Sequence, residues 1–298
     1  VVVMAALSSV TWQRAGVYRS PQTLWRDTLR KNPDAWAAHN NLAIALSAEG
    51  RILEAIDHYH QAIGIKPDFA AAHNNLGEAL QSRQMLPDAI ACYRHALRLQ
   101  PDAVLAHNNL GSALMSQGRL EEAVASYRRA LELDPDSALV HNNLGTALKL
   151  QGRLDDAVQH HLTAIRLKPD FSTAHYNLGN VLRAQGRLEE AVSRYQEALA
   201  ITPGAAMVRN NFGTALLAQG KPQAAQEQFR LLVEQEPDHA GGHYNLGIAL
   251  SAQGKFEEAA GHYRRALQIK PEFAHARTSL AHLLQRAQQP AQSTPRSE

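Results

Sequence analysis

Residues 104–137 read VLAHNNLGSALMSQGRLEEAVASYRRALELDPDS, and variants of this 34-residue unit follow one another without insertion or loss from Trp36 to Phe273. Four copies keep the run His-Asn-Asn-Leu, at His39–Leu42, His73–Leu76, His107–Leu110 and His141–Leu144. Three more are degenerate in the same frame: His175-Tyr176-Asn177-Leu178, Arg209-Asn210-Asn211-Phe212 and His243-Tyr244-Asn245-Leu246. A fixed period means equivalent supersecondary units stacked in a row, each touching its neighbours, rather than a globule around one core.

With Val104 as position 1, the unit holds two helices. The first spans about positions 2 to 14 and closes at Gly118, at position 15, a residue that accepts the left-handed conformation at a helix C-terminus. The second runs from about Leu120 to Leu133, carries Glu121 and Glu122 in its first turn, and stops before Pro135. Neither helix can bury its apolar stripe alone, and stacking of successive pairs buries it. Position 8 is Gly in six units and Ala43 in the first. Position 20 is Ala throughout, position 24 is aromatic except at His161, and position 32 is always Pro. Small residues at 8, 20 and 27 let helix axes approach, and the position-24 ring fills the gap. Gln84 replaces the position-15 glycine of the second unit, where a less tight turn is expected, and Leu232 replaces the position-27 alanine.

Leu-Gly, then Ala, an aromatic and Pro over 34 residues resembles the tetratricopeptide repeat family. That resemblance implies an all-α, right-handed superhelical solenoid of helix-turn-helix repeats, and a protein that holds partners. The expected organisation is an apolar N-terminal helix or residual transmembrane end over 1–19, a partial repeat over 20–35, seven repeats over 36–273, a capping helix over 274–286 and a disordered tail over 287–298. Leu24, Trp25, Leu29 and Pro33 carry the partial repeat. Leu280 and Leu284, with Arg277 at position 4, give a polar cap.

Charge and cysteine usage exclude several functions. The 298 residues include 30 basic and 28 acidic side chains, net +2, which is no basic stripe for nucleic acid. Cys92 is the single cysteine, so neither a disulfide framework nor a multi-thiolate metal site exists. The apolar run Val1–Val10 followed by Trp12, Arg14, Tyr18 and Arg19 fits either a helix packed on the first repeat or the trailing half of a membrane span leaving through an interfacial belt. Trp12-Gln13-Arg14, Tyr18, Leu24-Trp25, Asn32-Pro33 and Trp36 resemble the junction in multi-span, glycosyltransferase-like membrane proteins with a C-terminal repeat domain. That resemblance implies a tethered repeat domain on the periplasmic side, whereas Arg14, Arg19, Arg26, Arg30 and Lys31 favour the cytoplasm.

About 100° of rotation per residue sorts helix positions into faces. Positions 4, 7, 8 and 11 share the packed side of the first helix, and positions 2, 6, 9 and 13 the opposite one, which the family resemblance makes the lining of the concave groove. Position 6 is Asn in all seven units: Asn41, Asn75, Asn109, Asn143, Asn177, Asn211 and Asn245. An amide offers one acceptor and two donors, the complement of an extended peptide. Two readings stay open: a ladder that binds an extended polypeptide, or amides that satisfy one another between units. The first resembles the Asn-lined groove of O-linked N-acetylglucosamine transferases. Position 2 (Ala37, Ala71, Leu105, Leu139, Thr173, Met207, Gly241) adds a small, mildly apolar lining. The cationic positions of a carboxylate clamp, as chaperone-binding members have, are empty. Lys149 and Arg183 at position 12 are the candidate basic residues of the groove.

No catalytic residue, cofactor or metal is expected. Six histidines at position 4 lie on successive units rather than converging, and recur on the packed side. The pairs Glu121-Glu122, Asp155-Asp156, Glu189-Glu190 and Glu257-Glu258 repeat at one position as helix N-terminal charges. No phosphate loop or nucleophile elbow is present. The expectation is therefore a non-enzymatic interaction scaffold for a protein or extended peptide. Its alternatives are a targeting domain of a membrane-tethered protein and a solenoid that self-associates into filaments.

Overall fold

The computed structural model describes residues 20–288, with side chains to Gln285. The expected N-terminal helix or span end over 1–19 lies outside the described residues, as does most of the expected tail. Sixteen helices occur among the described residues, and no strand. The chain divides into two compact units, residues 1–151 and 152–298. The first contains α1 (Pro21–Lys31), α2 (Trp36–Ala48), α3 (Ile52–Ile65), α4 (Ala70–Ser82), α5 (Leu86–Leu99), α6 (Val104–Ser116), α7 (Leu120–Leu133) and α8 (Ala138–Leu150). The second contains α9 (Leu154–Leu167), α10 (Ser172–Ala184), α11 (Leu188–Ile201), α12 (Ala206–Ala218), α13 (Pro222–Gln235), α14 (Ala240–Ser251), α15 (Phe256–Ile269) and α16 (Ala274–Gln288). Within each unit, helices pack mainly on the ones before and after them in sequence.

The turns follow from local chemistry. In the 104–137 repeat Gly118 has φ +76°, and the Arg119 N–H donates to the Leu114 carbonyl at 3.0 Å, which closes α6 with a Schellman bond. The Asp134 N–H donates to the Ala130 carbonyl at 2.9 Å, and Pro135 then stops α7. Gln84 does not loosen its turn. It adopts φ +62°, and the Met85 N–H reaches the Leu80 carbonyl at 3.0 Å, the same bond as in the glycine turns. The closure of the turn outweighs the side-chain clash, so the local cost is absorbed rather than relieved.

Packing within a repeat is set by position 8 against position 24. A Cβ placed on Gly111 would meet the Tyr127 ring at 2.7 Å, and one on Gly213 the Phe229 ring at 2.6 Å. Those rings are fully buried, as are the alanines at positions 20 and 27 around them. At Leu232 the larger side chain is buried too, because the following helix carries Gly242, whose Cβ would stand 3.0 Å from Leu232 Cδ2. His161 occupies the aromatic position fully buried.

Candidate interaction surface

The position-6 asparagines sit at the edge of the packed interface between first helices. In the first unit Asn41, Asn75, Asn109 and Asn143 lie on α2, α4, α6 and α8, all half-buried. Each of the last three donates from Nδ2 to the position-5 Asn of the preceding repeat: Asn75 to Asn40 at 3.1 Å, Asn109 to Asn74 at 3.2 Å and Asn143 to Asn108 at 2.9 Å. Asn109 spends its second hydrogen on Glu78 Oε1 at 2.9 Å. Asn41 Oδ1 accepts from Asn40 Nδ2 at 3.3 Å. In the second unit Asn177, Asn211 and Asn245 lie on α10, α12 and α14. Asn211 donates to the Tyr176 hydroxyl at 3.0 Å and to Asn180 Oδ1 at 2.9 Å, and Asn245 donates to Asn210 Oδ1 at 2.8 Å.

The amides are therefore paired across repeats, with position 5 as the acceptor, a role the sequence pattern contains in its doubled Asn. Asn109 and Asn211 have both hydrogens engaged, so toward a ligand each can only accept, through Oδ1. Asn75, Asn143 and Asn245 each make one such donor bond. Exposed apolar side chains stand beside these rungs. Leu105 and Met207, at position 2, are each 67 % exposed, Leu139 is 48 % exposed, and Ile44 at position 9 is 46 % exposed. In the first unit two open cavities adjoin them. One, of about 380 Å³, is lined by Ala71, Asn74, Asn75, Gln100 and Leu105. The other, of about 470 Å³, is lined by Glu78, Tyr93, Asn109, Ser112, Leu139 and Asn143.

Lys149 and Arg183 are not alike. Lys149 is half-buried on α8, whereas Arg183 is exposed on α10 and engages the Tyr195 hydroxyl. Burial pushes that phenol up to about 12 despite the guanidinium. The Tyr195 hydroxyl also donates to Asn180 Oδ1 at 2.8 Å.

The position-4 histidines clasp the loop that precedes their helix. His73 Nε2 lies 2.9 Å from the Pro67 carbonyl, and His39, His107, His141, His175 and His243 make the same contact with Pro33, Pro101, Pro135, Pro169 and Pro237. A carbonyl only accepts, so Nε2 carries the proton. Arg209 and Arg277 replace the imidazole and donate to the Pro203 and Pro271 carbonyls. In two repeats the remaining Nδ1 meets a second imidazole nineteen residues on: His39 to His58 at 3.0 Å and His243 to His262 at 3.1 Å. Among the described residues no group of three or more His, Cys, Asp or Glu is placed to hold a metal. In three of the acidic pairs the second member answers the arginine three residues before it: Arg119 Nε donates to Glu122 and Arg187 Nε to Glu190, both at 2.7 Å, and Arg153 Nε to Asp156 at 2.8 Å. These are exposed ion pairs of small energetic weight. No helix among the described residues is long and apolar enough to cross a membrane.

A family profile described as TPR repeat matches residues 45–84, 82–118, 111–152 and 146–182, and two described as Tetratricopeptide repeat match 170–235 and 210–272. No curated protein sequence matches the chain. Among solved structures the chain is similar to YrrB, described as a TPR protein with an unusual peptide-binding site. The identity is 26 %, over 63 % of this chain and 96 % of that one, with a TM-score of 0.53. It is also similar in fold to a chain of the APC/C hetero-tetramer Cut9–Hcn1, at 16 % identity, 88 % of this chain, 52 % of that one and a TM-score of 0.68. A third is pilF of Pseudomonas aeruginosa, at 22 % identity, 72 % of this chain, 97 % of that one and a TM-score of 0.63.

Proposed function

Because the chain belongs to the tetratricopeptide repeat family, we propose that it is a protein-interaction scaffold that holds an extended polypeptide against the first-helix faces of its repeats. One observation carries this reading: Leu105 and Leu139 stand exposed on adjacent repeats beside the Asn75, Asn109 and Asn143 rungs. Large apolar side chains in a regular row on a surface mark a contact site. Spaced one repeat apart, they suit alternate side chains of an extended chain, and the Asn Oδ1 acceptors between them suit its backbone N–H groups. Apolar burial supplies most of the affinity, since each amide bond contributes only about 0.5–1.5 kcal/mol net. The peptide-binding description of YrrB, at 26 % identity, supports the same class of partner. Asn177, Asn211 and Asn245 extend the proposal to the second unit, with Arg183 as an exposed basic residue there.

The test uses two variants of the full chain in capture from source lysate beside wild type. Asn109, Asn143 and Asn177 changed together to Ala removes rungs and also repeat-to-repeat bonds. Leu105→Ser with Leu139→Ser removes only exposed side chains and leaves the fold intact. A polypeptide partner retained by wild type and lost by both variants is the expected result. Retention by the leucine variant would sink the groove reading.

A further inference from the structure

We propose that the paired imidazoles His39–His58 and His243–His262 are two chelating sites for a divalent transition-metal ion of the zinc, nickel and copper class, each stapling the two helices of one repeat. The sites lie on the packed side of the first helices, not on the Asn side, and do not depend on the groove reading. Each pair joins position 4 of a first helix to position 23 of the second, α2 to α3 and α14 to α15. The two Nδ1 atoms stand 3.0 Å apart in the first pair and 3.1 Å apart in the second. Imidazole nitrogen suits metals of this class. No third His, Cys, Asp or Glu completes either site among the described residues, so water supplies the other coordination positions.

The proline clasp prepares one ligand of each pair. Nε2 of His39 donates to the Pro33 carbonyl at 2.9 Å, and Nε2 of His243 to the Pro237 carbonyl at 3.0 Å. That bond holds the ring, keeps the proton on Nε2 and leaves Nδ1 with a lone pair. A ring N–H given to a backbone carbonyl is the usual support of a metal-bound histidine, and it raises the basicity of the other nitrogen. The position-23 ring donates its Nδ1 proton to this lone pair. Coordination needs its other tautomer, with the proton moved through water to Nε2, so two neutral rings bind the ion without net proton release. His58 and His262 are half-buried, so a swivel of either ring can turn its Nδ1 lone pair to an ion entering from solvent. An ion about 2.0–2.1 Å from each nitrogen, at the tetrahedral angle, sets the two nitrogens about 3.3 Å apart, only a few tenths of an ångström beyond the observed separations.

Ring proximity alone does not make such a site. His73 and His95 stack with centroids 4.1 Å apart, but Arg98 donates to His95 Nδ1 at 2.8 Å, so that lone pair is taken. Surrounding charge ranks the two chelates. Glu258 faces His262, whereas Arg26 faces His58 together with Asp57 and Glu54, and Glu54 is tied to Arg51. The His243–His262 site should be the tighter.

The test is calorimetric titration of zinc chloride into the metal-stripped full chain at neutral pH. His58→Gln and His262→Gln should each remove one equivalent of bound zinc and the double variant two, because a lone imidazole holds the ion at least about tenfold more weakly than a chelate. His262→Gln should remove the tighter equivalent. Differences between proteins are the readout, since His141 and His160 stand at the same two positions in sequence. Zinc should also raise the thermal midpoint of wild type more than that of the double variant. Gln228 and Ser126 occupy position 23 in other repeats, so Gln, and Ser in a second double variant, fit there, with helicity followed by circular dichroism. His95→Gln should take up zinc as wild type does. No saturable uptake by wild type, equal uptake by wild type and both double variants, or an equal loss with His95→Gln would each overturn the proposal.

Discussion

Gln84 stands where the six other repeats place glycine, and it is the one non-glycine residue with positive φ among the described residues, at +62°. A left-handed conformation costs an L-residue about 1–2 kcal/mol, and glycine gives back part of that through unfolded-chain entropy. Gln84→Gly should therefore raise unfolding free energy by a few tenths to about 1 kcal/mol, measured by urea denaturation; a loss of stability would mean the Gln84 side chain makes a compensating contact. A second residue-scale effect concerns the paired imidazoles. Burial, then the His39 partner and then Arg26 hold the His58 pKa below its ordinary 6.5, against the smaller opposing pull of Asp57 and Glu54. Burial and then His243 lower His262 in the same way, against Glu258. A lowered folded value means the unfolded chain binds more protons in the window just below 6.5, so the stability these pairs contribute is present above that pH and lost as pH falls through it. His39 Nε2 donates to the Pro33 carbonyl, so its Nδ1 accepts from His58 Nδ1 across 3.0 Å. Thermal melts from pH 8 to pH 5 should show a steeper loss for wild type than for His58→Gln/His262→Gln. Parallel profiles for the two proteins would dismiss the pairs as the source.

At the scale of helices, close approach is negotiated pair by pair. Leu232 fits where other repeats have alanine because Gly242 on the next helix yields the space. Leu232→Ala alone should open a cavity and cost about 2–5 kcal/mol. Gly242→Ala alone should crowd Leu232 and cost about 1–3 kcal/mol. The double variant gives the Ala–Ala pairing that Ala62 with Ala72, Ala96 with Ala106 and Ala164 with Ala174 have, so a double-mutant cycle in denaturant should return a favourable coupling, and additive losses would refute the compensation. Such a swap is legible in the sequence only as two separate lapses. The helices themselves are far more legible, because glycine at position 15, proline at 32 and the acidic first turn of the second helix each fix a boundary by local chemistry. The clasp from position 4 to the proline carbonyl was not legible as a bond. The sequence shows His on the packed side, and only the fold brings Nε2 within 2.9 Å of the Pro67 oxygen. The same limit applies to the candidate site. Seven asparagines at one position announce a ladder, yet whether their hydrogens face a ligand or the preceding repeat depends on side-chain geometry across helices 35 residues apart.

For the molecule as a whole, a stack of repeats divides its stability into terms within repeats and terms between neighbours, without one core that every residue shares. Contacts inside each unit obey this, running from helix to adjacent helix with slender contacts to the next but one. Damage should therefore spread by distance in repeats. Tyr127 is fully buried against Gly111, and Tyr127→Ala removes a ring worth about 3–5 kcal/mol in a packed interior. Hydrogen exchange should then show the largest loss of amide protection in α6 and α7, a smaller loss in α5 and α8, and none in α14 and α15. Uniform loss along the chain would show that the repeats unfold as one cooperative body, and the nearest-neighbour description would fail. The graded outcome has a consequence for binding. A partner lying along several repeats would gain part of its affinity by suppressing local opening between them. The exchange profile of wild type with a captured partner should then gain protection in the first helices that carry the Asn rungs, before the second helices behind them.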